Sequence, residues 1–187
     1  MTTQAADMIS VLTHDHEEVE ELFGQLEAAR PDDGETRRRL ADQAIMELVR
    51  HSVAEEMYLY PATRRHVPDG DKIADKELND HDKVERIMKD LEKADASSRE
   101  FSDLLASLMT EVRLHVRDEE QNLFPQLARH CEHSELAELG EKVQKAKDMA
   151  PTRPHPTAPD SPTLLKILAP GAGLVDRVRD RLSGRGK

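Results

Sequence analysis

An eleven-residue pattern occurs twice in this chain, and it constrains the fold more than any other feature: His51 to Pro61 reads HSVAEEMYLYP, and His115 to Pro125 reads HVRDEEQNLFP. Superposed, His51 matches His115, Glu55 matches Glu119, Glu56 matches Glu120, and Leu59-Tyr60-Pro61 falls on Leu123-Phe124-Pro125. Each copy is preceded by an Asp-His pair, Asp15-His16 or Asp80-His81, with a valine three residues further on, Val19 or Val84. The separation is 35 residues from His16 to His51 and 34 from His81 to His115. Such a repeat means two copies of one supersecondary unit.

The apolar positions around the repeat have helical spacing. Leu12, Val19, Phe23 and Leu26 share a stripe with His16 over about 5–30, and Pro31-Asp32-Asp33-Gly34 ends that segment. A second helix, about 35–66, lines up Ala44, Leu48, His51, Glu55 and Leu59, with Pro61 near its end as a potential kink. After the Pro68-Asp69-Gly70 turn, a third helix (about 71–95) aligns Leu78, His81, Val84, Met88 and Leu91. Ser97 and Glu100 have capping-box spacing and open a fourth helix, in which Leu104, Leu108, Val112, His115, Glu119 and Leu123 share a face. The expected fold is all-α, an antiparallel up-down-up-down four-helix bundle with a short fifth helix, about 134–149, and a C-terminal tail.

Residues four apart on a helix differ by about 400° and lie on one face. His51 with Glu55 and His115 with Glu119 are therefore polar pairs on apolar stripes, costly to bury unless something satisfies them. In an antiparallel bundle His16, His51, Glu55, His81, His115 and Glu119 meet at one depth. Converging imidazoles and carboxylates point to a metal site, and two carboxylates able to bridge suit two ions better than one. Nitrogen and oxygen donors leave iron, manganese or zinc. A lone histidine on an apolar face is more often a hydrogen-bonded core residue than a ligand, and His14, His66, His130, His133 and His155 are read that way. Glu56 and Glu120 lie about 100° from the paired glutamates, so they belong to the helix surface or support the ligands from outside. Asp15 and Asp80 are candidates to accept imidazole N–H groups.

The net charge of −11 argues against nucleic acid as a partner. No basic, apolar leader is visible at the start of the chain, and no apolar run reaches the ~20 residues a membrane span needs. With Cys131 as the single cysteine, no internal disulfide can form, and a cytoplasmic setting is expected. Five of the ten prolines fall between Pro151 and Pro162. That composition divides the chain into a bundle (1–150), a Pro-rich linker (151–163) and a basic tail (164–187) in which Leu174, Val178 and Leu182 suggest a short amphipathic helix. The tail is a candidate contact for a protein partner or a membrane surface.

The pattern H…HxxxE…H…HxxxE, with its LYP and LFP followers, resembles the hemerythrin-like (HHE) cation-binding proteins of bacterial type over about residues 8–130. The resemblance implies a four-helix bundle holding two non-haem iron ions joined by an oxo or hydroxo bridge. His16, His51, His81 and His115 would be terminal ligands, and Glu55 and Glu119 would bridge. The animal oxygen carriers have a further histidine on the third helix; here the positions one turn either side of His81 are Glu77 and Glu85. Glu85 is one candidate to complete the site. Tyr58 is another, because seven residues from His51 is about 700°, close to two full turns. By the same arithmetic Tyr60 points elsewhere. A core tyrosine bonded to a backbone carbonyl is the plainer reading of Tyr58. The expected function is to bind or react with oxygen, nitric oxide or hydrogen peroxide, in sensing or detoxification. A peroxide-disproportionating enzyme and an iron-homeostasis or structural metal bundle are the alternatives.

Overall fold

The computed structural model describes residues 6–154 and Asp180, and every regular element among them is helical. Helix α1 spans Met8–Ala28 and α2 spans Gly34–Ala54; a π-helical turn, Glu55–Leu59, joins α2 to α3, Tyr60–His66. Helix α4 spans Gly70–Lys93 and α5 spans Arg99–Asp118; a second π-turn, Glu119–Leu123, joins α5 to α6, Phe124–His130, and α7 is His133–Met149. Side chains start three of these helices by accepting a first-turn N–H: Asp7 from Ser10, Asp33 from Thr36, and Ser98 from Phe101. The fourth long helix thus begins one residue later than the Ser97 cap expected. The shift seats Phe101, fully buried, under the guanidinium groups of Arg37 and Arg38, 4.9 and 5.0 Å from its ring centre.

Both π-turns fall at the same place in the repeat, and both precede a proline. Pro61 and Pro125 have no N–H to donate, so the ladder must skip a bond there. The skip is absorbed in a wide turn, in which Tyr60 N–H bonds back to Glu55 and Phe124 N–H to Glu119, five residues away. The helix continues past the proline with its phase shifted.

The bundle core is split. Val19, Phe23, Leu40, Ile45, Leu91, Phe101 and Leu108 belong to one apolar cluster; Met8, Leu12, Leu59, Leu127, Leu139 and Val143 belong to another. Helix α7 lies across α1 and α2 as a lid on the second cluster. It packs so closely that a Cβ at Gly140 would stand 2.3 Å from the Ala6 carbonyl oxygen. The first residues after α7, 151–154, contact α4. Pro151, Thr152 and Pro154 are buried, Arg153 reaches Glu92 on α4 at 3.4 Å, and Lys89 donates to the Pro154 carbonyl at 3.2 Å. Thr152 and Arg153 both bind Asp180. The remainder of the expected linker and tail lies outside the described residues.

Candidate metal centre

Between the two apolar clusters is one polar layer. His16, His51, His81 and His115 are 4–8 % exposed, and Glu55 and Glu119 are fully buried. The four Nε2 atoms face inward in two pairs: His16 and His51 at 3.1 Å, His81 and His115 at 3.3 Å. The glutamates span the pairs. Glu55 places Oε1 3.0 Å from His51 Nε2 and Oε2 3.2 Å from His81 Nε2. Glu119 Oε2 stands 3.4 Å from His16 Nε2 and 3.6 Å from His115 Nε2.

Each imidazole also meets a carboxylate at its outer nitrogen. Nδ1 of His16 faces Glu120 at 2.9 Å, that of His51 faces Asp15 at 3.3 Å, that of His81 faces Glu56 at 2.9 Å, and that of His115 faces Glu77 at 2.9 Å. A neutral imidazole that donates from Nδ1 has a bare lone pair on Nε2. Lone pairs are then aimed at lone pairs across each histidine pair, and toward ionised carboxylates. Both Glu55 oxygens and Glu119 Oε2 are buried without a hydrogen-bonding partner. Such an arrangement is stable only around positive charge. Donors about 2.1 Å from one ion on neighbouring coordination positions stand about 3 Å apart, as these do. The residues fit a metal cation.

The electrostatics agree. Burial alone disfavours an imidazolium at His51, but Glu55, Asp15 and Glu119 outweigh it and push the ring up to about 10. Burial likewise opposes the charged ring of His81, where Glu55 and Glu56 win, and of His115, where Glu119 and Glu77 win. Against its own burial, Glu55 is held well below the usual carboxylate range by His51 and His81. Asp15 is lowered, also against burial, by His51 and by Lys147 of α7. Protons hold the metal-free layer together, and a metal cation must displace them. Metal uptake is therefore expected to release protons near neutral pH and to tighten as pH rises toward about 10. Calorimetric titration in two buffers of different ionisation enthalpy measures the release, and no release would contradict this account. The metal-free protein has a matching signature. The stability that His51 contributes is complete below 6.5 and is lost as pH rises through about 10.

All six residues expected from the repeat are brought together. The two accessory candidates are not the groups the structure places there. Tyr58 is half-buried and packs against the second apolar cluster. The hydroxyl in the polar layer belongs to Tyr60, 2.8 Å from His81 Nε2 and 3.4 Å from Glu119 Oε1. The π-turn is the reason: it brings a residue five beyond Glu55 onto its face, where uniform α-helical phase would bring the third or fourth. Burial first, then Glu55, Glu119, Glu77 and Glu56, raises Tyr60 well above the ordinary phenol range. On α4, Glu77 and not Glu85 faces the layer. Helices α4 and α5 run antiparallel, with Lys76 against Asp118 and Lys83 against Glu111, so the turn before His81 is level with Glu119 and the turn after it is not. Asp15 meets a histidine as anticipated, whereas Asp80 pairs with Lys76 at the surface.

The sequence matches the hemerythrin HHE cation-binding domain over residues 7–127. The chain belongs to this family. An uncharacterised hemerythrin-like protein of Schizosaccharomyces pombe is 28% identical over 169 residues, covering 90% of this chain and 82% of that protein. The crystal structure of a hemerythrin HHE cation-binding domain-containing protein from Mycobacterium kansasii superposes with a TM-score of 0.67 at 24% identity, over 76% of this chain and 86% of that one, which supports the fold. A DNA nickase of Nostoc sp. is 28% identical over 145 residues, 77% of this chain but 40% of the nickase. As a member of the HHE family, the chain is a helical cation-binding protein, and its buried His/Glu cluster is where a cation fits. No described helix is long and apolar enough to cross a membrane.

Against the four histidines lies a cavity of about 20 Å³ walled by Val19, Leu48, Val84, Val112 and Val116. It has room for a single water-sized molecule.

Proposed function

We propose that this chain holds two iron ions and uses them to bind or react with a small ligand, dioxygen, nitric oxide or hydrogen peroxide, in sensing or detoxification. The observation behind this reading is the division of the polar layer into two histidine pairs spanned by two glutamates. His16 and His51 would hold one ion, His81 and His115 the other, and Glu55 and Glu119 would join them. Bound as a ferrous pair, the ions supply electrons to a ligand that by itself is hard to reduce. The chain's own residues do the rest. The small cavity beside the histidines, lined also by Val19, Leu48, Ser52, Val84, Val112 and Val116, would seat a small ligand. Asp15, Glu56, Glu77 and Glu120 fix the ring orientations and keep Nε2 free. Tyr60, whose hydroxyl lies 2.8 Å from His81 Nε2, would complete the site on the His81 side.

Peroxide disproportionation is the second reading, favoured by the His16–Glu120 pair. Glu120 is 39% exposed and lines a groove with Glu17, Glu20 and Arg113, so it links the buried layer to solvent and can pass protons. The metal-binding unit would be the helical bundle, with the basic tail 164–187 offering a surface to a partner protein or membrane from a cytoplasmic domain.

Metal analysis combined with absorption spectra of the anaerobically reduced protein, before and after oxygen, tests the proposal. Two irons per chain and the near-ultraviolet bands of a bridged ferric pair are expected. A single ion per chain, or manganese or zinc in place of iron after growth in balanced medium, would overturn it. Reversal under vacuum would assign carriage, and fast peroxide turnover would assign the enzyme.

A further inference from the structure

The bundle end formed by α3, α6 and α7 holds a second group of metal-binding side chains that the central layer does not use. His66 closes α3, Cys131 follows α6, and Glu135 lies in the first turn of α7. His66 Nε2 is 3.1 Å from Glu135 Oε1, and the imidazole nitrogen, thiol sulfur and carboxylate oxygen all lie within 4.8 Å of one another. Cys131 and Glu135 are joined by the short turn into α7, whereas His66 reaches them from α3, so that approach is tertiary.

The repeat itself marks Cys131 as unusual. The superposition of His51 on His115 also places His66-Val67 on His130-Cys131. Val67 and Cys131 are each 6% exposed, and each N–H bonds to the carbonyl four residues back, Thr63 or Leu127, at 2.9 Å. A valine meets the packing need in the first copy. In the second copy a thiol stands there, with a nitrogen of His66 and a carboxylate oxygen of Glu135 within 4.8 Å of it.

We propose that His66, Cys131 and Glu135 form a second cation site, for zinc or a zinc-like divalent ion, that ties the ends of α3 and α6 to the start of α7. A mixed nitrogen, sulfur and oxygen set suits zinc, whereas the thiolate sets this site apart from the sulfur-free central layer. Neighbouring donors on a tetrahedral zinc ion stand about 3.3–3.8 Å apart, so side-chain rotation of about an ångström closes the set. His66 and Glu135 are partly open to solvent, and water takes the fourth position. Binding transfers the thiol proton to solvent and forms a sulfur–metal bond, with no change of oxidation state. Arg65, 3.1 Å from Glu135, opposes the cation, but its side chain is 58% exposed and free to swing out. The site is independent of the central layer: His66 lies eleven residues beyond Glu55, roughly 16 Å along the helix.

Cobalt(II) is the probe, added to the full-length protein already loaded at its central layer. Cys131 is the chain's single cysteine, so a thiolate-to-cobalt charge-transfer band reports this site alone. One cobalt per chain with that band is expected in the wild type, competed away by zinc. Cys131→Val, which copies the residue of the other repeat half, should fold, keep its central metal and lose the band. His66→Ala and Glu135→Gln should each weaken cobalt binding at least about tenfold. A wild type without the band, or binding unchanged in both His66→Ala and Glu135→Gln, would overturn the proposal by leaving at most a lone thiol.

Discussion

Glu119→Ala is expected to lose at least one metal ion per chain and to destabilise the bundle by about 3–5 kcal/mol, the range for removing one partner of a buried charged set. Glu119 is fully buried, and its Oε2 atom is the shared neighbour of His16 and His115, which lie on different helices and in different histidine pairs. Deleting that carboxylate removes a donor from both halves of the layer at once. It also leaves two imidazoles facing each other's side of the cavity without the anion between them. Metal content per chain after dialysis, with chemical denaturation of the same samples, reads both effects. Glu119→Gln separates them: it keeps the volume and loses the charge, so it should lose metal with a smaller packing penalty. Full loading of Glu119→Ala with an unchanged spectrum would remove Glu119 from the centre.

The positions of the six central residues were legible in the sequence because each rests on spacing within a regular helix. His51 and Glu55 are one turn apart wherever that helix lies, and the repeat supplied the second half without knowledge of packing. Antiparallel topology then brought the four histidines to one level. What lay beyond local regularity was not legible. A uniform helix would turn Tyr58 toward the layer and Tyr60 away, and the π-turn at Glu55–Leu59 changes that phase within five residues. The signal was present: in both copies a proline stands six residues after the paired glutamate, where an α-helical ladder loses a donor. Choosing Glu77 over Glu85 required the register of α4 against α5, which Lys76 and Asp118 reveal only once the helices are packed. His66 and Cys131 meet only through the packing of α3 against α6, so neither could be singled out from spacing.

Tyr60→Phe is the substitution expected to change the centre most without unfolding it. The two repeat halves are alike in their histidines and glutamates and differ here: the Tyr60 hydroxyl stands 2.8 Å from His81 Nε2, whereas its counterpart Phe124 stacks flat on His16 with ring centres 5.8 Å apart. Replacing Tyr60 by Phe makes the first half resemble the second, so the ring's packing is kept and a single polar atom is lost. In the metal-free chain burial and four carboxylates keep that hydroxyl protonated. Cations held by the same carboxylates would reverse the local field and favour the phenolate, and Tyr60 and His81 would then both be placed to hold one ion. A phenolate on ferric iron gives a visible charge-transfer band and stabilises the ferric state. At equal iron content, Tyr60→Phe is therefore expected to lose that band and to shift its reduction potential upward, with the equilibrium between ferrous and ferric forms moved about 10–100-fold, as expected for the loss of an interaction with a charged group. Tyr58→Phe, packed against the apolar cluster, should leave spectrum and potential unchanged. A band that survives in Tyr60→Phe, or disappears in Tyr58→Phe, would show that Tyr60 is not the donor that completes the His81 side.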